Sequence, residues 1–239
     1  MVTDAGQSML TLMELHINTP FCYDAAGRMR YVNEPEQPPA PRFFMVRTQA
    51  GNRWRFRYDL PAATIQQLNR LCQAEPHSAD LARPPQQYAA IKAVLEAQAP
   101  LQNEHRGPAY WIPPGIPRPA NVVLISATNA DLLQPLFPWV LPIPQDSKRG
   151  TLVATVAQGM AVALCYCALI PDQVTRAGVE TAVAFRGQGY ATAAVAGWAA
   201  EVRCLGLLPL YGTTWDNLAS QRIAHKLGMV LYGEDWSIE

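Results

Sequence analysis

Two rhythms of apolar residues divide the chain. Residues 120–239 alternate short β-like runs with helical patterns, whereas residues 1–119 are proline-rich and less regular. In the first part, 42–48 (Arg-Phe-Phe-Met-Val-Arg-Thr) and 54–58 read as strands, and 49–53 between them predicts a hairpin. Trp54, Phe56 and Tyr58 alternate with Arg55 and Arg57, giving one apolar face and one basic, solvated face. Pro61 opens a helix to Cys72 that carries Ile65, Leu68 and Leu71 on one side. Pro84-Pro85 opens another with Tyr88, Ile91, Val94 and Leu95 at helical spacing. Residues 110–119 end with four prolines in seven positions, so they predict an extended connector and a domain boundary at 119.

In the second part, 121–126 reads as a strand and 131–140 as a short helix beginning near Asn129. Strands over 151–157 and 160–169 meet at Gln158-Gly159, a tight hairpin signal. A strand over 176–182 precedes a long helix, 189–205, that ends at Gly206. A strand over 207–211 and a helix over 216–227, with Gly228 at its stop position, lead to β-like pieces at 229–232 and 235–238.

Composition narrows the classes of partner. Nineteen basic residues balance nineteen acidic ones over 239 residues, and no Lys/Arg block occurs, so charge gives no reason to expect nucleic acid or an anionic membrane. No apolar run is long enough to span a bilayer, and the N-terminal region carries Asp4 and Glu14 where a leader would be basic; a soluble, cytoplasmic protein is expected. The five cysteines are scattered and odd in number, which argues against a disulfide framework. Cys165 and Cys167 share one face of a strand and read as small core residues. His16, His77, His105 and His225 show no metal-ligand spacing, so no metal is expected.

The chemistry concentrates at Phe185-Arg186-Gly187-Gln188-Gly189-Tyr190-Ala191-Thr192, which follows an apolar strand and opens the long helix. Glycines let backbone approach a ligand closely, and the free N–H groups of a helix start point at an anion. A dinucleotide fingerprint would need Gly-x-Gly-x-x-Gly and a later acidic residue, and a P-loop would need Gly-Lys-Ser/Thr; neither is present. A plain tight turn is the competing reading.

The order of these signals is more specific than the turn. Val179-x-Thr181, then Arg186-Gly187-x-Gly189-x-Ala191, then Asn217-x-x-Ser220, then Lys226-Leu227-Gly228 resembles the GNAT superfamily of acyl-CoA-dependent N-acetyltransferases, over residues 150–239. The resemblance implies a mixed, mostly antiparallel central sheet flanked by helices, here with an additional N-terminal α+β domain over 1–119 and the acetyltransferase domain over 120–239. It implies acetyl-CoA as co-substrate, with its pyrophosphate on the backbone of Arg186, Gly187, Gln188, Gly189, Tyr190, Ala191 and Thr192. Its pantetheine arm would lie along Val179–Thr181, where a backbone N–H acts as oxyanion donor. Asn217 and Ser220 would border that arm, or simply cap their helix. The amine would attack the thioester directly, with catalysis mostly by positioning.

The match also departs from the family. The helical tyrosine that protonates the leaving thiolate in many members falls on Ala224, with His225 as a substitute acid that could equally be a surface residue. Tyr190 and Tyr211 are further candidate acids. Glu180 is the carboxylate of the strand segment and the candidate base, or an exposed strand position. Phe137, Trp139, Pro138, Pro142 and Pro144 would wall the acceptor site or pack in the core. The N-terminal part would cover the acceptor or mediate homodimerisation. The expected reaction is acetyl transfer to a small-molecule primary amine. The alternatives are a non-catalytic acyl-CoA sensor, motivated by Ala224, and transfer to a protein amine.

Overall fold

The continuous apolar run Phe43–Val46 has no polar alternation, and such a strand needs cover on both faces. The computed structural model, which describes residues 8–141, 151–170 and 172–239, gives it that cover. In chain order the elements are α1 (Met9–Asn18), β1 (Phe21–Tyr23), β2 (Met29–Val32), β3 (Phe43–Thr48), β4 (Gly51–Phe56), α2 (Ala62–Ala74), α3 (Tyr88–Glu96) and β5 (Glu104–Trp111). They continue with β6 (Val122–Leu124), β7 (Leu152–Ala157), β8 (Met160–Cys167), β9 (Val174–Thr181), α4 (Tyr190–Cys204), β10 (Leu208–Gly212), α5 (Leu218–Lys226) and β11 (Val230–Ile238). This is a mixed α/β architecture, mostly antiparallel and flanked by helices. Among the described residues no helix is long and apolar enough to cross a membrane.

The chain forms two compact units. One comprises Met1–Trp111, Gly212–Leu218 and Leu231–Glu239, and the other Ile112–Tyr211 and Ala219–Val230. The boundary expected at 119 therefore falls after Trp111. The last strand, expected in the second domain, belongs to the first unit because β11 pairs antiparallel with β3 from Glu234↔Arg47 to Ile238↔Phe43.

In the first unit the strand order is β4-β3-β11-β5. Phe43, Met45, Trp236 and Ile238 pack with Leu68 of α2 and Ile91 and Leu95 of α3. Phe44 and Val46, on the alternate face, pack with Met13 and Ile17 of α1 and with Phe21 and Met29. The β3–β4 turn is only Gln49-Ala50, because Thr48 Oγ1 accepts from the amides of Ala50 and Gly51, both at 3.1 Å. Strand β4 thus starts at Gly51, ahead of the predicted Trp54. Charges are buried here as well. Glu234 accepts from Arg47 at 2.5 Å and from Trp215 Nε1 at 2.8 Å, and forms an ion pair with Arg106 Nη1 at 2.9 Å. Asp235 lies 3.1 Å from His105 Nε2, and Tyr232 and His16 Nδ1 are hydrogen-bonded at 2.7 Å.

In the second unit the order is β10-β9-β8-β7-β6. The β7–β8 hairpin turns at Gln158-Gly159, both at positive φ (53° and 75°), as its sequence predicts. Helix α4 covers one face of β6–β9 with Val195, Trp198, Ala199 and Val202. The other face is covered by the segment after β6, where Ile125, Leu133 and Phe137 pack on Ala154, Ala161 and Leu164. That segment is not the predicted helix over 131–140 but two 3-10 turns, Ala130–Leu133 and Pro138–Val140. Pro138 has no N–H to continue a helical ladder.

Candidate functional site

The site is built from the way β9 changes neighbours. Its parallel pairing with β10 covers only Val174↔Leu208, Thr175↔Pro209 and Arg176↔Leu210. Its antiparallel pairing with β8 continues from Ala177↔Cys167 to Thr181↔Ala163. Beyond Arg176, β9 is therefore held by β8 on one side while its β10-facing edge leaves the register. This segment contains both Val179 and Thr181, and Glu180 lies between them.

The same strand runs into the glycine turn. A 3-10 turn at Val183–Phe185 ends on Arg186, and Gly187 and Gly189 adopt φ of 77° and 88°, a region that side chains disfavour. An added Cβ at either glycine would meet nothing within 4 Å, so conformation and not crowding selects glycine there. Gly189 caps α4 with no side-chain hydrogen bond, and the first turn of α4 carries no acidic residue. The first amides of a helix lack intrahelical acceptors, so this end of α4 suits an anion. Residues 186–189 are exposed, and Tyr190, Ala191 and Thr192 follow half-buried on the helix. Arg186 Nε and Gln188 Nε2 donate to the carbonyls of Thr181 and Ala184, both at 3.3 Å, folding the loop on itself.

Two further elements of the second unit adjoin β9. Tyr211, the β10 residue after its last pair with β9, is buried and shares a 2.5 Å hydrogen bond with Ser220 Oγ in the first turn of α5. One turn later on that helix Ala224 is buried, whereas His225 is exposed. His225 lies about 100° around the helix from Ala224, so it is a surface residue of α5. Asn217 falls in the other unit; its amide donates to Thr214 O at 3.2 Å in the turn before α5.

Alternation along the strands separates two faces. Cys165, Val179 and Thr181 share the face of Thr155, which bonds α4, whereas Leu164, Tyr166, Gly178 and Glu180 share the face covered by Leu133 and Phe137. On that second face Tyr166 donates to Glu180 Oε1 at 3.2 Å. Phe137 is a core residue, while Trp139 is exposed; Pro142 and Pro144 lie outside the described residues. Cys165 is fully buried, and burial pushes its thiol well above the ordinary range, so it is a packing residue.

The arrangement of elements has counterparts among solved structures. The chain is similar to GNAT acetyltransferases. A GCN5-related N-acetyltransferase-like protein from Streptococcus suis is 14% identical, with a TM-score of 0.49 over 87% of each chain. A GNAT-family acetyltransferase from Novosphingobium aromaticivorans is 14% identical, with a TM-score of 0.45 over 58% of this chain. The match spans 65% of that protein, less than two thirds of its length. The aminoglycoside N-acetyltransferase AAC(6')-Iy, solved with CoA, is 18% identical with a TM-score of 0.36, over 45% of this chain and 89% of its own. No family profile matches the sequence, and no curated protein is detectably similar.

Proposed function

We propose that the protein is a GNAT-type N-acetyltransferase that transfers an acetyl group from acetyl-CoA to a primary amine of a small molecule. One observation carries the reading: the edge of β9 that leaves β10 runs straight into the open, glycine-built start of α4. An extended, amide-bearing arm fits a free strand edge, and a pyrophosphate fits the helix start. Acetyl-CoA would supply an acyl group already activated as a thioester.

The chain's own residues then have distinct tasks. Backbone amides of Gly187–Thr192 bind the phosphates, with Arg186, whose own amide donates to Val183 O, adding a positive charge at the exposed rim. Backbone groups of Val179–Thr181 hold the arm and offer an N–H to the carbonyl oxygen as charge develops on it. Glu180 accepts the proton that the acceptor ammonium must lose before its nitrogen can form the amide. Ser220 borders the arm. His225, on the outer surface of α5, has no task in this scheme.

Ala224 supports a second reading, an acyl-CoA sensor without catalysis, because the buried face of α5 carries a methyl group there. One assay separates the two. Acetyl-CoA binding by calorimetry is paired with thiol release against pooled amino acids, polyamines, aminoglycosides and peptides. Amine-dependent thiol release supports transfer, and a peptide-only response moves the acceptor to a protein amine. Tight binding without release from any pool establishes the sensor.

A further inference from the structure

Tyr166 of β8 stands opposite Gly178 of β9, and Leu164 stands opposite Glu180. Tyr166 and Glu180 are therefore diagonal neighbours on one face, a separation that only a long side chain can bridge. Gly178 makes the bridge possible. A Cβ at that position would lie 2.5 Å from Tyr166 Cε2 and 2.6 Å from Cζ, closer than any real packing allows. The phenol thus crosses onto β9 through the space a side chain would fill, and its hydroxyl reaches Glu180 Oε1 at 3.2 Å. Both groups are partly buried on the face that Leu133 and Phe137 cover, away from α4.

We propose that Tyr166 is a positioning residue for Glu180: it holds the carboxylate in one rotamer by binding Oε1, leaving Oε2 to receive the acceptor's proton. The inference rests on the acetyltransferase reading and assigns a group that the resemblance does not. A long carboxylate side chain loses rotamer freedom when it must be placed for proton transfer, and a fixed donor absorbs that cost before the acceptor arrives. In each turnover the acceptor ammonium first gives one proton to Oε2; the freed nitrogen then bonds the acyl carbon as the carbon–sulfur bond breaks, and its second proton goes to the departing CoA thiolate, while Tyr166 keeps its own proton.

The test uses the full chain and two readouts. In ligand-free protein with 13Cζ-labelled tyrosine, the Tyr166 resonance should move on Glu180→Gln. An unmoved resonance would overturn the hydrogen bond itself. In steady-state kinetics with an amine found active in the thiol-release assay, Tyr166→Phe should lower kcat about tenfold with little change in acetyl-CoA KM. The double variant should be no slower than Glu180→Gln alone, because the two groups act as one unit. Gly178→Ala should displace the ring and reproduce the Tyr166→Phe loss. If Glu180→Gln is slow but Tyr166→Phe matches wild type, the positioning role fails and the transferase reading stands. Absence of transfer by wild type with every amine would remove the transferase reading, and the positioning role with it.

Discussion

The hydroxyl of Thr155, fully buried on β7, donates a 3.0 Å hydrogen bond to the carbonyl of Tyr190, the first residue of α4. The glycine turn is thereby fastened to the sheet at the end where the helix begins. Thr155→Val keeps the shape and removes the donor. It should cost about 1 kcal/mol of stability, read as a lower denaturation midpoint, and weaken acetyl-CoA binding by a comparable free energy. Wild-type affinity in that variant would mean the helix start needs no anchor.

Gly189→Ala tests the turn directly. The Cβ has space, yet φ of 88° is disfavoured for alanine by about 1–2 kcal/mol, so the turn should relax away from its native form. Calorimetry should show acetyl-CoA affinity falling about tenfold while circular dichroism stays native. Unchanged affinity would remove the turn from the cofactor site.

Glu180→Gln should lower kcat about a hundredfold at neutral pH and leave the acetyl-CoA dissociation constant unaltered, since it removes a base but no backbone contact. A loss confined to cofactor binding would contradict a proton-transfer role.

His225→Ala should leave turnover within about twofold of wild type, as expected for an exposed helix residue. A large fall in kcat would restore His225 as an acid.

The pattern of strands and helices was readable where alternation and punctuation agreed, as at Gln158-Gly159 and at the glycines flanking α4. It failed where side chains mislead. Strand β5 contains Gly107 and Pro108, both poor strand formers, and it survives because the turn at Thr213–Trp215 bonds back to Pro108 and Arg106. Helix α1 lies in a segment that reads as irregular, although Ser8 caps it through the amide of Thr11. At the site, the glycine turn was legible because positive φ selects glycine locally. The Tyr166–Glu180 pair was not. It depends on the register of two strands, which no residue of either strand announces alone. The buried Glu234–Arg47–Arg106 cluster was equally hidden, because charged residues are usually read as surface.

A stability effect of pH is expected in the first unit. Burial raises the Glu104 carboxyl, but the bonds from Lys92 (2.6 Å) and Tyr88 and Trp236 (3.0 Å each) outweigh it, and the group sits below its ordinary 4.5. A lowered carboxyl stabilises the fold fully above its ordinary value and loses that contribution as pH falls through the native one. Glu104→Gln should therefore lower Tm by a few degrees at neutral pH. The gap to wild type should close as pH drops below 4.5. A gap independent of pH would assign the effect to packing.

The pairing of β11 with β3 also sets an order of events during synthesis. The ribosome delivers β3 about two hundred residues before the strand that lies between it and β5. Until β11 emerges, Phe43 and Met45 lack Trp236 and Ile238, and one edge of β3 stays open to other chains. The sheet of the first unit is thus begun by β3 and closed only when β11 arrives. A fragment ending in the proline connector would be an unfinished sheet, prone to associate, and not a separable domain.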